Sequence, residues 1–200
     1  HWVAIVMDHA SRRAMGVGVF AGKPSCRDVC VFLGRAIRRT CAVPKYIVCD
    51  RDSIFDCDAF RRWVRRKGIQ PPRYGAVGKH GSIAIIERLM LTTKQTLQLL
   101  PIIPLRRDSL RRELVAAFDW YIICRPHMTL GGNTPNEVYD NRYPANRRPR
   151  LEPRRRWPRG SPCAQPWALV AGKPGDLFNV RVDYHAGQRH LPVVTLKRAA

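Results

Sequence analysis

Apolar residues run unbroken from Trp2 to Met7 and stop at Asp8. A run of that length, bounded by polar residues, reads as a buried strand over residues 2–8. Ser11-Arg12-Arg13 makes a turn, and residues 14–20 supply an antiparallel partner. After Pro24, apolar positions at Val29, Phe32, Leu33, Ala36 and Ile37 adopt helical spacing, with Ser25 as the N-cap. Residues 46–49 form a short, fully apolar strand ending at Asp50. Phe60, Trp63 and Val64 then mark a helix over 57–67, stopped by Gly68. Residues 69–73 read as an edge strand and 74–81 as a glycine-rich loop. A helix carrying Glu87 runs to about Leu100, where Pro101 and Pro104 break it, and residues 107–124 make a last long helix.

This order predicts an α/β fold, a mixed sheet covered by helices, of which three main strands are legible. The composition shifts beyond Tyr139. Residues 142–159 hold eight arginines, one acid (Glu152) and four prolines, a density that precludes a continuous helix or central strand. An extended basic linker over 142–162, drawn to phosphates, is the expectation, with Arg154, Arg155 and Arg156 at its centre. A frayed tail in the absence of DNA is the alternative. Alternation through Phe178–Tyr184, a Gly-containing connection and a second run ending near Leu196 predict a β-hairpin within a small extension, 163–200. The predicted domains are therefore a core over 1–141, the linker, and that extension.

Charge narrows the partner. Thirty-six Lys and Arg against 15 Asp and Glu give a formal +21, while 45% hydrophobic residues suffice for a core. An anionic partner follows, and nucleic acid suits better than a membrane surface, since no basic amphipathic stretch stands out and no apolar run approaches ~20 residues. Seven cysteines, none in a Cys-x-x-Cys pair, support neither a zinc ribbon nor a redox motif. Cys26 and Cys30, one helical turn apart, read as small core residues rather than metal ligands. The expected compartment is a reducing cytoplasm, with the chain on nucleoid DNA.

Against this basic background three acids stand out. Asp8 and Asp50 end apolar strands, and Glu87 lies in a helical pattern. Singly, each aspartate would be an ordinary turn or cap residue. Jointly, carboxylates at two strand ends and on a helix suit hard divalent ions such as Mg²⁺. At ~100° per residue, Ile83, Ile86, Met90 and Leu97 share one stripe with Glu87 and Lys94. A charged pair on a core-facing stripe is costly without partners. Seven residues set the two ~10.5 Å apart, too far for a direct salt bridge. A metal for Glu87 and a phosphate for Lys94 are the expected partners; snorkelling to solvent is the alternative.

The segments Val6-Met7-Asp8-His9-Ala10-Ser11-Arg12-Arg13, Lys45-Tyr46-Ile47-Val48-Cys49-Asp50 and His80-Gly81-Ser82-Ile83-Ala84-Ile85-Ile86-Glu87-Arg88 resemble the catalytic core of retroviral-type integrases and DDE transposases. The bacterial insertion-sequence branch fits best. Arg125-Pro126-His127 and Thr134-Pro135-Asn136-Glu137 extend the resemblance, which runs from residue 1 to about 145, with 36 residues between Asp50 and Glu87. It implies a ribonuclease-H-like mixed sheet flanked by helices, here with a basic C-terminal extension. It further implies a triad of Asp8, Asp50 and Glu87 holding two Mg²⁺ ions ~3.5–4 Å apart, with Mn²⁺ as a substitute. The implied reaction is in-line displacement at a phosphodiester: cleavage of transposon ends, then joining to target DNA by a homo-oligomer assembled on DNA. Lys79, His80, Arg88 and Lys94 would contact DNA. The chain starts within its first strand, so a preceding end-recognition region, a helix-turn-helix in the family, is expected outside it.

Two residues depart from the family pattern. Asp52 stands where glycine is usual and could distort the turn or compete for metal. Ile122 replaces the asparagine of Trp-Tyr-Asn. Two other readings therefore stay open: a catalytically decayed DNA-binding remnant, and a ribonuclease-H-like nuclease without strand transfer.

Overall fold

The computed structural model describes residues 1–75, 83–140 and 177–199. The chain forms two compact units, His1–Val115 and Ala116–Ala200. In the first, β1 (Trp2–Met7) pairs antiparallel with β2 (Ala14–Phe20), from Trp2↔Phe20 to Val6↔Gly16. Between Val6↔Gly16 and Met7↔Ala14 the register shifts, leaving Met15 of β2 as the extra residue of a bulge beside the end of β1. The turn closes through Asp8 N to Arg13 O (2.8 Å) and Arg12 N to Asp8 O (3.0 Å).

The helix α1 (Cys26–Thr40) starts at Ser25 with a full capping box. Asp28 N donates to Ser25 Oγ, and the Asp28 carboxylate accepts from Ser25 N. Gly18 lets α1 lie close on β2, because a Cβ there would come within 3.1 Å of the Phe32 ring. Val29, Cys30 and Leu33 of α1 join Cys49, Phe60, Val64 and Ile69 in a buried cluster, with Val6, Ile47 and Tyr74 packed against it. Phe60 and Val64 come from α2 (Asp58–Arg66), the helix expected from their spacing.

The strands β3 (Val48–Cys49) and β4 (Arg73–Tyr74) pair in parallel. Arg73 N reaches Ile47 O at 2.9 Å and Gly75 N reaches Cys49 O at 3.0 Å. The edge strand thus falls later than 69–73, since Pro71 and Pro72 have no N–H to give a ladder. Among the described residues β1–β2 and β3–β4 remain separate two-stranded ladders, and no continuous mixed sheet of the ribonuclease-H kind joins them. β3 and β4 are two residues each, and Pro71 and Pro72 before β4 have no N–H to lengthen the ladder.

Two helices follow, α3 (Ala84–Leu97) and α4 (Arg107–Ile123). Leu99 N to Thr96 O and Leu100 N to Leu97 O tighten the end of α3 up to Pro101. In the second unit the end of α4 buries Phe118, Tyr121 and Ile122. The substituted Ile122 is thus a core residue. There, α5 (Pro135–Tyr139) opens with a Thr134–Glu137 capping box. The predicted hairpin is present as β5 (Phe178–Tyr184) and β6 (Pro192–Arg198). It is held to α4 by Trp120 Nε1 donating to Pro192 O at 2.8 Å. The predicted linker, 142–162, lies outside the described residues, as does the start of the extension.

Candidate nucleic-acid site

Asp8 follows the end of β1, next to the bulge in β2, and is half-buried. Its Oδ2 accepts from Ser11 N at 2.7 Å and from Ser11 Oγ at 2.6 Å. Ser11 is 2% exposed. The carboxylate is thereby tied to its own turn, a contact no spacing argument anticipates.

Asp50 follows β3 and is exposed, with Oδ1 accepting from Asp52 N at 3.3 Å. Asp52 itself closes the next turn. Its Oδ1 accepts from Ile54 N (3.0 Å), and its backbone oxygen from Phe55 N and Asp56 N (both 2.9 Å). Lys23 lies 3.5 Å from its other oxygen. The Ile54 N–H above all, then Lys23, hold the Asp52 carboxyl below the usual carboxylate range. Asp52, expected as a competitor for metal, is occupied as a turn residue.

Gly75 links the second acid to the third. Its N–H bonds Cys49 O, next to Asp50, and a Cβ at Gly75 would overlap the Ile83 side chain. Ile83 O in turn accepts from Glu87 N at 3.1 Å. Only glycine lets the first turn of α3 sit this close to the end of β3.

The face of α3 differs from the expectation. Leu89, Thr92, Thr93 and Thr96 are buried, whereas Met90 is 38% exposed and Glu87, Arg88 and Lys94 face solvent. Threonines can occupy a core face because their hydroxyls return to the helix: Thr93 Oγ1 to Leu89 O at 2.8 Å and Thr96 Oγ1 to Thr92 O at 2.9 Å. Glu87 and Lys94 therefore carry no burial cost, and neither needs a partner to offset one. Among the described residues no group of three or more His, Cys, Asp or Glu converges to hold a metal ion. Asp8, Asp50 and Glu87 are thus brought to the two strand ends and the helix expected of them, without closing into one cage.

Lys79, His80, Arg154, Arg155 and Arg156 lie outside the described residues. The two downstream motifs make structural contacts. The Arg125 guanidinium lies over the Trp120 and Tyr121 rings at 5.7 and 6.0 Å, and His127 meets Tyr121 edge-on at 4.6 Å. Thr134 is a helix cap.

No protein-family model matches the sequence. No curated protein matches it either. Solved structures do. The catalytic core domain of BIV integrase is similar over 70% of this chain and 85% of its own, with 17% identity and a TM-score of 0.56. A chain of the simian T-cell lymphotropic virus intasome in complex with PP2A regulatory subunit B56 gamma is similar over 98% of this chain, with 14% identity and a TM-score of 0.55. This chain spans 62% of that one's length. At these identities the likeness shows a fold, and that fold is similar to an integrase catalytic core.

Proposed function

We propose that this chain is the catalytic core of a DNA transposase of the bacterial insertion-sequence branch, a polynucleotidyl transferase that cleaves element ends and joins them to target DNA. One observation carries the reading. A fold similar to an integrase core has Asp8 and Asp50 after β1 and β3, and Glu87 one turn into α3. Charge supports the substrate, because a chain of formal +21 attracts polyanions. No helix among the described residues is long and apolar enough to cross a membrane. The expected setting is the cytoplasm, on nucleoid DNA, as a homo-oligomer on paired ends.

An all-oxygen triad has the donor chemistry that Mg²⁺ or Mn²⁺ requires. As folded, the three side chains do not meet the geometry of such a site: Asp8 is held by Ser11, and Glu87 lies on an open helix face. Assembly would need Asp8 to turn away from Ser11. That same observation favours a second reading, a decayed remnant that binds DNA without cutting it.

Incubating the chain with Mn²⁺ and labelled duplexes of the element's own ends separates the two. Joined products are expected for the transferase, and binding without cleavage for the remnant. Hydrolysis without joining would mark a nuclease. Asp50→Asn should lose joining by at least about a thousandfold while retaining DNA binding. Strand transfer preserved in that variant would remove Asp50 from the triad.

A further inference from the structure

Away from the three acids, α1 and α2 enclose a cleft of about 390 Å³, lined in part by Arg27, Val31, Gly34, Arg38, Trp63 and Arg66. Arg27, Val31, Gly34 and Arg38 follow one another at i, i+4, i+7 and i+11, a single stripe of α1. Trp63 and Arg66 of α2, with Lys67 at its C-cap, are their counterparts. This stripe is distinct from the one formed by Val29, Leu33, Phe60 and Val64 in the buried cluster. Cys30 and Trp63 of the lining also border that cluster, whereas Arg27, Val31 and Arg38 lie outside it.

Its chemistry is uneven in an informative way. The floor is apolar: Val31 is 46% exposed, and Gly34 contributes no side chain. Trp63 stacks on the fully buried Phe60 ring, with centroids 6.1 Å apart and planes 18° apart, which fixes its orientation. The rim carries Arg27, Arg38, Arg66 and Lys67 and no acid. None of these four has an ion pair among the described residues; Asp56 and Asp58 are both taken by Arg61. A rigid aromatic at the base of a cationic groove is the arrangement that receives an unpaired base and its flanking phosphates.

We infer that this α1–α2 cleft binds single-stranded nucleic acid, with a base against Trp63 and phosphates on Arg27, Arg38, Arg66 and Lys67. A duplex keeps its bases stacked inside and would leave Trp63 without a partner. A second copy of this chain would bring its own excess of positive charge. A small anion would use the rim and ignore the floor. The inference rests on the nucleic-acid part of the preceding reading and not on its carboxylate chemistry.

The test uses the full chain in EDTA and fluorescence anisotropy with three probes. These are a labelled oligothymidylate of about 12 nucleotides, a duplex of equal length and an abasic strand of equal length. Trp63→Leu removes the stacking surface. Gly34→Leu fills the floor and is the safer variant, since a Cβ there meets only Arg38 Nη1 at 3.7 Å and Trp63 Cζ2 at 3.8 Å. Leucine is also the better helix former.

Both variants should weaken thymidylate binding at least about fivefold, while duplex binding changes less than about twofold. The abasic strand should bind wild type more weakly than thymidylate and be indifferent to Trp63→Leu. Equal losses on strand and duplex, or no loss in Gly34→Leu, would overturn the inference. Absence of strand transfer by the wild-type chain would count against the transferase reading and leave these binding ratios untouched.

Discussion

Ser11 is the residue that most changes the reading of Asp8. A buried hydroxyl and its own N–H both donate to one carboxylate oxygen, and Ser11 Oγ also accepts from Arg13 N at 3.3 Å. Ser11→Ala should lower stability by about 1.5–3 kcal/mol, the range for a hydrogen bond to a charged group. It should also free Asp8 to turn. If Asp8 is a metal ligand, Mn²⁺ binding measured by calorimetry should tighten in Ser11→Ala even as the urea midpoint falls. Unchanged Mn²⁺ affinity alongside lower stability would make Asp8 a turn residue only. The sequence leaves Asp8 open as an ordinary turn aspartate but does not single out Ser11 as its partner, because a serine three residues after an aspartate is commonplace. The cysteines, by contrast, behave as their residue type suggests. Burial, first among the causes, pushes the Cys26 and Cys49 thiols up to about 12. The full contribution of these thiols to stability is present below the unfolded pKa near 9, where the folded and unfolded chains both carry them neutral. That contribution is lost as pH rises from there towards about 12. Urea midpoints should therefore fall with pH above 9, and less steeply in a Cys26→Ala, Cys49→Ala variant; parallel curves for the two proteins would refute the assignment.

At the scale of elements, what could be read depended on how local the cause was. The helix α1 was legible because both its cap, Ser25, and its apolar spacing are written in adjacent residues, and α2 likewise through Phe60 and Val64. The face of α3 was not. Leu89, Thr92, Thr93 and Thr96 form a buried stripe that hydropathy treats as mostly polar, while its exposed side carries Met90 and Leu91. The strands β3 and β4 suffered differently: their pairing is set by which backbone N–H groups remain free around Pro71 and Pro72, not by side-chain pattern. The corrected face of α3 makes Glu87 a clean probe. An exposed glutamate in a helix can become glutamine within about 0.5 kcal/mol of stability. Glu87→Gln should keep the wild-type melting temperature while losing strand transfer as fully as Asp50→Asn. A variant that melts early would mean the glutamate supports the fold, and a variant that still joins DNA would leave the triad without its third member.

Across the whole molecule, the sequence marks where composition turns strongly basic after Tyr139, but it could not show what that stretch does. Composition fixes charge without fixing position, and residues 142–159 concentrate eight arginines with a single acid. Affinity gained from such a stretch comes through release of counterions from DNA, so it is read in the salt dependence rather than in a single dissociation constant. Each phosphate neutralised contributes about 0.9 to the slope of log K against log salt. Replacing Arg154, Arg155 and Arg156 by alanine should therefore flatten that slope by about two to three on duplex DNA. The α1–α2 cleft provides the internal control, because Trp63→Leu removes a stacking surface and no charge. Its effect should appear as a constant offset in log K on single strands, with the slope unchanged. If the triple variant kept the full slope, the phosphates would be met by cations elsewhere in the chain. The basic stretch would then be a passive tether rather than part of the DNA-binding surface.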